Sequence, residues 1–293
     1  MLLTTDQLNH YDREGYVVLR GFIAPDEITM MREDVVGMID SAPVAPRVPE
    51  DSAGVPVVDP ADFAFTKRSN GGYTLNRISN PLARSETLLV SYGNPRLLGA
   101  VNSLHGPHFV PFAESVVIKL PDHGAPFDWH QDGSFKTGWQ DERGINFGIY
   151  LHESNERNGC VYAIPGSHKK GRADLSAMVA EHGERLPGSV PVAAEPGDVI
   201  VHSRNLIHGS FANASSTLRV TVYFGFHHVD TVRHIYSDEQ IATRAHVISE
   251  AIVLRHADVR FGDEVPFEYV PPPGYRAPKT ELSTALRAPA LMV

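Results

Sequence analysis

The stretch Asp128-Trp129-His130-Gln131-Asp132-Gly133 places a histidine and a carboxylate two residues apart, beside a tryptophan and ahead of a glycine. In an extended chain successive side chains point to opposite faces, so positions i and i+2 share one. His130 and Asp132 then converge on a common point. Two histidines and one carboxylate on one face form the ligand set of non-haem iron(II) oxygenases. The same His-x-Asp spacing recurs at His10/Asp12, His228/Asp230 and His256/Asp258. Context separates the pairs. The first and last fall in segments with helical patterning, where i and i+2 do not face each other. His228/Asp230 follows the end of a strand-like run. Only His130/Asp132 lies between a turn, "PDHGAP", and a glycine at the end of an extended stretch.

A third ligand is needed, and "GDVIVHSRNLIHGSFANASSTLRVTVYF" offers His202 and His208. Turn residues before and after this run predict a hairpin that returns Arg219 to the neighbourhood of His208 and Ser210. An arginine's fixed fork of donors binds a small-molecule carboxylate through two N–H groups. His202 and His208 share a face if they lie on one strand, which leaves a metal-dependent hydrolase as a rival reading. Such an enzyme has no use for the arginine.

Patterning predicts the elements that carry these residues. Thr5 or Asp6 caps a short helix that Gly15 ends, and "YVVLRGF" reads as a strand. Pro25 opens a second helix with Ile28, Met31, Val35 and Met38 at helical spacing. The proline-rich stretch 41–60 reads as a loop or lid, and 81–104 as helical. From Phe109 the texture changes to short β-branched and aromatic runs separated by turn residues: "SVVIKL", "INFGIYL", "GCVYAI", "DVIVHS", "LRVTVYFGF". This spacing predicts an antiparallel sandwich or barrel. A helix is expected over 238–255, and an irregular tail from Val270.

The 293 residues are 42% hydrophobic and 21% charged, a globular composition with material for a sizeable core. The net charge of −9 disfavours a nucleic-acid partner, including a demethylase acting on one. A lone cysteine, Cys160, excludes an intrachain disulfide. The N-terminus turns polar after three residues, and no apolar run approaches the ~20 residues of a spanning helix. The expectation is a cytoplasmic protein without membrane contact, a monomer or homodimer.

Taken together, "DWHQDGSF", "NGCVYAIPGSHKKG", "PGDVIVHSRNLIHGS" and "NASSTLRVTVYF", with the opening "LTTDQLNHYDREGYVVLRGF", resemble the phytanoyl-CoA dioxygenase (PhyH) family of Fe(II)- and 2-oxoglutarate-dependent oxygenases. The resemblance runs from about residue 4 to 226. It implies a mainly β, double-stranded β-helix (jelly-roll or cupin-like) core with flanking N-terminal and C-terminal helices. The expected organisation is one domain, 1–293: an N-terminal helical and lid region over 1–108, the core over 109–228, and a C-terminal helix and tail over 229–293. It further implies Fe(II) held by His130, Asp132 and His208. The cosubstrate 2-oxoglutarate would pair its distal carboxylate with Arg219, helped by the Ser210 hydroxyl, with Phe127 lining its pocket. Lys119, on the preceding strand, is read either as a cosubstrate contact or as strand-face chemistry. Asn158-Gly159 and Pro165-Gly166-Ser167-His168 match turns of the family.

The implied reaction uses O2 to hydroxylate an unactivated C–H bond of a small-molecule metabolite, with release of succinate and CO2. A carboxylate at 132 argues for hydroxylation, or desaturation and cyclisation, over halogenation. Basic and polar clusters at Lys67, Arg68, Asn70, Tyr73 and Arg77, and at Lys136, Trp139 and Arg143, suit an anionic substrate if one of them faces the site. Gly148 departs from the family, where many members carry tryptophan, and is expected to open space near the cosubstrate. A non-catalytic binding protein on the same fold is the remaining rival; an intact set of ligands and arginine counts against it.

Overall fold

Alternation decides the middle of this chain. β-Branched and aromatic residues at every second position set one face of a strand against a core and free the other. The computed structural model, which describes residues 3–45, 62–69, 71–132, 143–276, 278 and 281–287, realises this pattern as two antiparallel sheets. The chain opens with α1 (Thr5–Glu14), β1 (Tyr16–Leu19) and α2 (Pro25–Asp40). The hairpin β2 (Phe63–Lys67) and β3 (Tyr73–Ser79) follows, then α3 (Glu86–Tyr92) and α4 (Pro95–His105). Next come β4 (Phe109–Lys119), β5 (Phe127–His130), β6 (Ile145–Tyr150), β7 (Val161–Ala163), α5 (Leu175–His182) and β8 (Val190–Val192). The last strands are β9 (Val199–Ser203), β10 (His208–Ser210) and β11 (Arg219–His228). The helices α6 (Val229–Val232), α7 (Asp238–Ala257) and α8 (Leu282–Ala285) close the chain.

Seven strands form the large sheet in the order β1-β9-β6-β11-β4-β3-β2, and four form the small one in the order β5-β10-β7-β8. β11 is the spine of the large sheet. Its Val220, Val222 and Phe224 are fully buried and join Val116, Ile118, Phe147, Ile149 and Val199 in one apolar layer. Each such side chain contributes roughly 1.5–3 kcal/mol through burial. The alternate residues Arg219, Thr221 and Tyr223 turn to the opposite face, opposite Lys119, Val117 and Ser115 of β4. One strand therefore carries the core on one side and the chemistry on the other.

Helices cover the apolar layer. A capping box between Ser237 and Gln240 starts α7, and its Val247, Ile248 and Ala251 enter the core. Two buried ion pairs fix it further. Arg244 donates to Glu114 of β4, and Arg255 Nη1 donates to Glu27 of α2 at 2.7 Å.

Two features differ from the sequence reading. Residues 63–79 form a hairpin that no strand assignment anticipated. Its turn is closed by Arg68 N–H donating to Gly72 O at 2.7 Å, with Gly71 at φ 84°. The "SNGG" between two short runs was the available signal. β1, β2 and β3 extend the large sheet with residues from the first 108. Second, His208 and Arg219 do not lie on one hairpin, because β10 and β11 belong to different sheets. Asn213 makes the crossing: its Nδ2 donates to Lys119 O at 3.1 Å and to Thr217 O at 2.7 Å. These bonds turn the chain from the small sheet into the large one. Most of the expected lid, residues 46–60, lies outside the described residues.

Candidate metal centre and cosubstrate cavity

β5 and β10 are hydrogen-bonded neighbours with His208 opposite His130 in register. This pairing brings together two residues far apart in sequence. Asp132 lies two positions past His130, just beyond the strand, and its Oδ1 stands 3.4 Å from His130 Nε2. His208 Nε2 is 3.6 Å from Asp132 Oδ2. One donor atom from each of the three side chains lies within 4.8 Å of the others, and no further group of this kind occurs among the described residues.

Both imidazoles are oriented from behind. His130 Nδ1 is 2.6 Å from Asp128 O, and His208 Nδ1 is 2.9 Å from Leu206 O. Donation from Nδ1 to a carbonyl leaves the Nε2 lone pair facing the carboxylate. Asn146 Nδ2 donates to Asp132 Oδ2 at 2.7 Å, and Arg204 Nη2 donates to the Asp132 carbonyl at 2.8 Å. Burial pushes His208 down to about 3, helped by the positive charge of His130, so it is neutral and ready to ligate. Burial alone would lower His130 too, but its bond to Asp132 outweighs that and raises it. Burial alone would raise Asp132, yet the surrounding histidines hold its carboxyl well below the usual range. The cluster thus holds a carboxylate and a neutral His208, and a divalent cation binding there would displace a proton from His130.

His202 comes close without joining the set. It sits on β9 of the large sheet and His208 on β10 of the small one, so the two do not share a strand. Their rings still lie 4.6 Å apart across the cavity, and His202 Nε2 is 3.3 Å from Asn146 Nδ2. His228 caps α6 by accepting from Asp230 N–H at 3.2 Å, and His168 reaches Asp12 O at 3.1 Å. His10 is a half-buried residue of α1 packed on Tyr16, and His256 is an exposed residue of α7; neither joins the cluster.

The ligand triad opens on a cavity of about 770 Å³ between the sheets, shared with Arg219, Ser210, Phe127 and Arg77. Arg219 is 1% exposed, and its Nε and Nη2 have no hydrogen-bond partner; neither do Tyr150 Oη and Thr221 Oγ1 beside it. A buried donor left unsatisfied costs about 1–3 kcal/mol, more for a charged group. Such a cluster is what an anionic ligand would satisfy. Lys119, opposite Arg219 in register, is fully buried and donates from Nζ to Ala125 O at 2.7 Å and Phe211 O at 2.6 Å. It ties together the segments leading into β5 and out of β10. The Phe127 ring lies 5.3 Å from Lys119 Nζ and 6.0 Å from the Arg77 guanidinium carbon.

Of the basic clusters, Arg77 lines the cavity, and Arg143 turns away to donate to His105 O at 3.1 Å. Asn70, Lys136 and Trp139 fall outside the described residues. Gly159 and Gly166 adopt φ 79° and 74°, the left-handed backbone expected of these turns. Gly148 does not open space: a Cβ there would lie 2.9 Å from Tyr223 Cε1. The tyrosine ring fills the volume that the glycine vacates. Asn146, Arg204 and Tyr223 escaped the sequence reading. Asn146 alone had a visible signal, a polar residue inside the apolar run "INFGIYL".

A model of the phytanoyl-CoA dioxygenase (PhyH) family matches residues 11–221. The chain belongs to the phytanoyl-CoA dioxygenase family. Among relatives, the probable alpha-ketoglutarate-dependent hypophosphite dioxygenase of Stutzerimonas stutzeri is 26% identical over 241 residues, covering 75% of this chain and 77% of that protein. Phytanoyl-CoA dioxygenase 1 of Oryza sativa subsp. japonica is 25% identical over 258 residues, covering 78% and 90%. The crystal structure of EctD from S. alaskensis with 2-oxoglutarate and 5-hydroxyectoine aligns with a TM-score of 0.61 at 22% identity, covering 78% of this chain and 77% of that one. The fold is the double-stranded β-helix that these oxygenases share. No described helix is long and apolar enough to cross a membrane. Two requirements of the phytanoyl-CoA dioxygenase cofactors are met: a His-Asp-His donor set suits Fe(II), and an unpaired buried guanidinium suits a carboxylate of 2-oxoglutarate.

Proposed function

We propose that this chain is an Fe(II)- and 2-oxoglutarate-dependent dioxygenase that hydroxylates an unactivated C–H bond of a small anionic metabolite, releasing succinate and CO2. His130, Asp132 and His208 would hold the iron. When bound, iron with 2-oxoglutarate and O2 supplies the oxidising chemistry. The protein's own residues supply placement. Arg219 grips the distal carboxylate of the cosubstrate, and the Ser210 hydroxyl, on the neighbouring strand of the small sheet, assists it. Phe127 packs along the cosubstrate, backed by Lys119. Asn146 keeps the Asp132 carboxylate from rotating, and Arg204 holds the Asp132 backbone carbonyl. The apolar layer behind the large sheet keeps bulk water out of that side of the cavity.

The anionic substrate is supported by Arg77, which lines the cavity with its guanidinium over the Phe127 ring and no carboxylate paired to it among the described residues. An unpaired guanidinium at the cavity mouth favours a carboxylate, phosphonate or phosphate. The whole chain serves as one domain, working in the cytoplasm. The observation that carries the reading is a three-ligand cluster facing the same cavity as an unpaired buried arginine. The test is succinate release, with mass spectrometry of products, across paired anionic and neutral metabolites. Turnover that needs both 2-oxoglutarate and O2, favours anions, and loses that preference in Arg77→Gln is expected. Turnover indifferent to 2-oxoglutarate would overturn the reaction class, and an equal preference for neutral metabolites would overturn the substrate class.

A further inference from the structure

We propose that Tyr223 is a further ligand-contacting residue of this cavity, and that residue 148 is glycine to admit its ring. The inference rests on reading the cavity as a 2-oxoglutarate site. Gly148 lies in the middle of β6, directly opposite Tyr223 of β11 in the sheet register. It does not adopt a left-handed backbone, so its conformation does not require glycine. Glycine inside a strand destabilises it relative to alanine and marks a point of close approach. The approaching group is the tyrosine. A Cβ at 148 would meet Tyr223 Cε1 at 2.9 Å, Cζ at 3.3 Å and Thr221 Cγ2 at 3.3 Å. The ring therefore leans from β11 across the strand beside it.

Its surroundings give that position a consequence. Tyr223 lines the cavity and is only partly buried, with the His202 ring 6.1 Å away. Arg219 and Thr221 occupy the same face of the same strand. Beside them Tyr150 Oη, Thr221 Oγ1, Arg219 Nε and Arg219 Nη2 lack hydrogen-bond partners. Burial and the Tyr150 phenol raise the Tyr223 pKa well above its ordinary value, the Arg219 cation opposes them, and Asp132 adds to the rise. Tyr223 thus lines the same cavity as Arg219, which would grip one end of a dicarboxylate, and as Asp132 of the His-Asp-His cluster. A protonated hydroxyl there is a donor to an anionic ligand spanning the two.

The test is a calorimetric titration of 2-oxoglutarate into the Mn(II)-loaded protein, with Mn(II) affinity measured separately. Tyr223→Phe is expected to weaken 2-oxoglutarate by about tenfold, the loss of one hydrogen bond to a charged group, with Mn(II) affinity unchanged. Gly148→Ala is expected to weaken it also, by displacing the ring. In a Tyr223→Ala background the same Gly148→Ala change should have no further effect, because the ring it displaces is gone. Melting curves of each variant confirm folding. Wild-type affinity in both Tyr223→Phe and Gly148→Ala would overturn the inference while leaving the cosubstrate site standing. So would an equal loss from Gly148→Ala with and without the ring. A wild-type protein that binds Mn(II) but not 2-oxoglutarate would remove the cavity reading and this inference together.

Discussion

Lys119 is a fully buried lysine with no ion pair among the described residues. Two backbone carbonyls, Ala125 O and Phe211 O, take its hydrogen bonds. Burial and the neighbouring Arg219 cation pull its pKa from the ordinary lysine value of 10.5 to about 6. Between those values the unfolded chain binds a proton that the folded chain does not. Stability therefore rises with pH across that window, by up to ~1.4 kcal/mol per pH unit from this group, and is lost as pH falls. Lys119→Met removes the linkage. It should lower stability, because two carbonyls lose their donor, and it should flatten the pH dependence relative to wild type. Urea unfolding between pH ~6 and ~9 checks both effects; parallel curves for the two proteins would show that the lysine stays charged in the fold. At this scale the cluster of His130, Asp132 and His208 was the most legible part of the chain. The His130/Asp132 spacing and its turn context suffice to choose it over His10/Asp12, which lies on a helix. Lys119 was harder, since nothing in "SVVIKL" distinguishes a buried lysine from an exposed one.

β11 shows how one element serves two ends. Val220, Val222 and Phe224 anchor it in the core, and Arg219 and Tyr223 furnish the cavity. Its alternation was readable because a strand's period is fixed. The partners it would meet were not. Which strand lies beside β11, and that β10 belongs to the other sheet, depend on long-range pairing and on the Asn213 crossing, neither of which leaves a periodic trace. The Tyr223–Gly148 contact is of the same kind: it exists only once β6 and β11 are in register. On the far side of the sheet, α7 is held by its charges. Arg255 bonds Glu27 at 2.7 Å and Glu264 at 2.6 Å, and Glu27 is 3% exposed. Arg255→Met would leave the Glu27 charge buried with Asn94 as its remaining side-chain partner. The expected loss is about 3–5 kcal/mol, typical of breaking a buried pair from one side. A double variant, Arg255→Met with Glu27→Gln, should recover part of it. Denaturant midpoints decide; a loss within the range of a surface pair would mean that water reaches Glu27.

The whole molecule sets a cationic cavity inside an acidic chain. The net charge is −9, yet Arg219, Arg204 and Arg77 line the space beside His130, Asp132 and His208. Local charge, more than the total, selects what enters such a cavity. The two sheets divide the work. The small sheet and the turn after it bring His130, Asp132 and His208 together, and the large sheet brings Arg219, so the site exists only when both sheets face each other. This interdependence explains why the fold class was readable while the site's second layer was not. Short alternating runs announce a jelly roll, but Asn146 and Arg204 meet Asp132 only across the gap between elements.

The central claim is that one ferrous ion and one 2-oxoglutarate share this cavity, held by His130, Asp132, His208 and Arg219. Anaerobic addition of Fe(II) and then 2-oxoglutarate, followed by visible absorption, tests it most directly. Wild-type protein should develop the weak metal-to-ligand band of a chelated 2-oxo acid, His130→Ala should abolish it, and Arg219→Ala should require far more 2-oxoglutarate to produce it. A wild-type protein that binds Fe(II) without the band, or a band that survives in His130→Ala, would contradict the account.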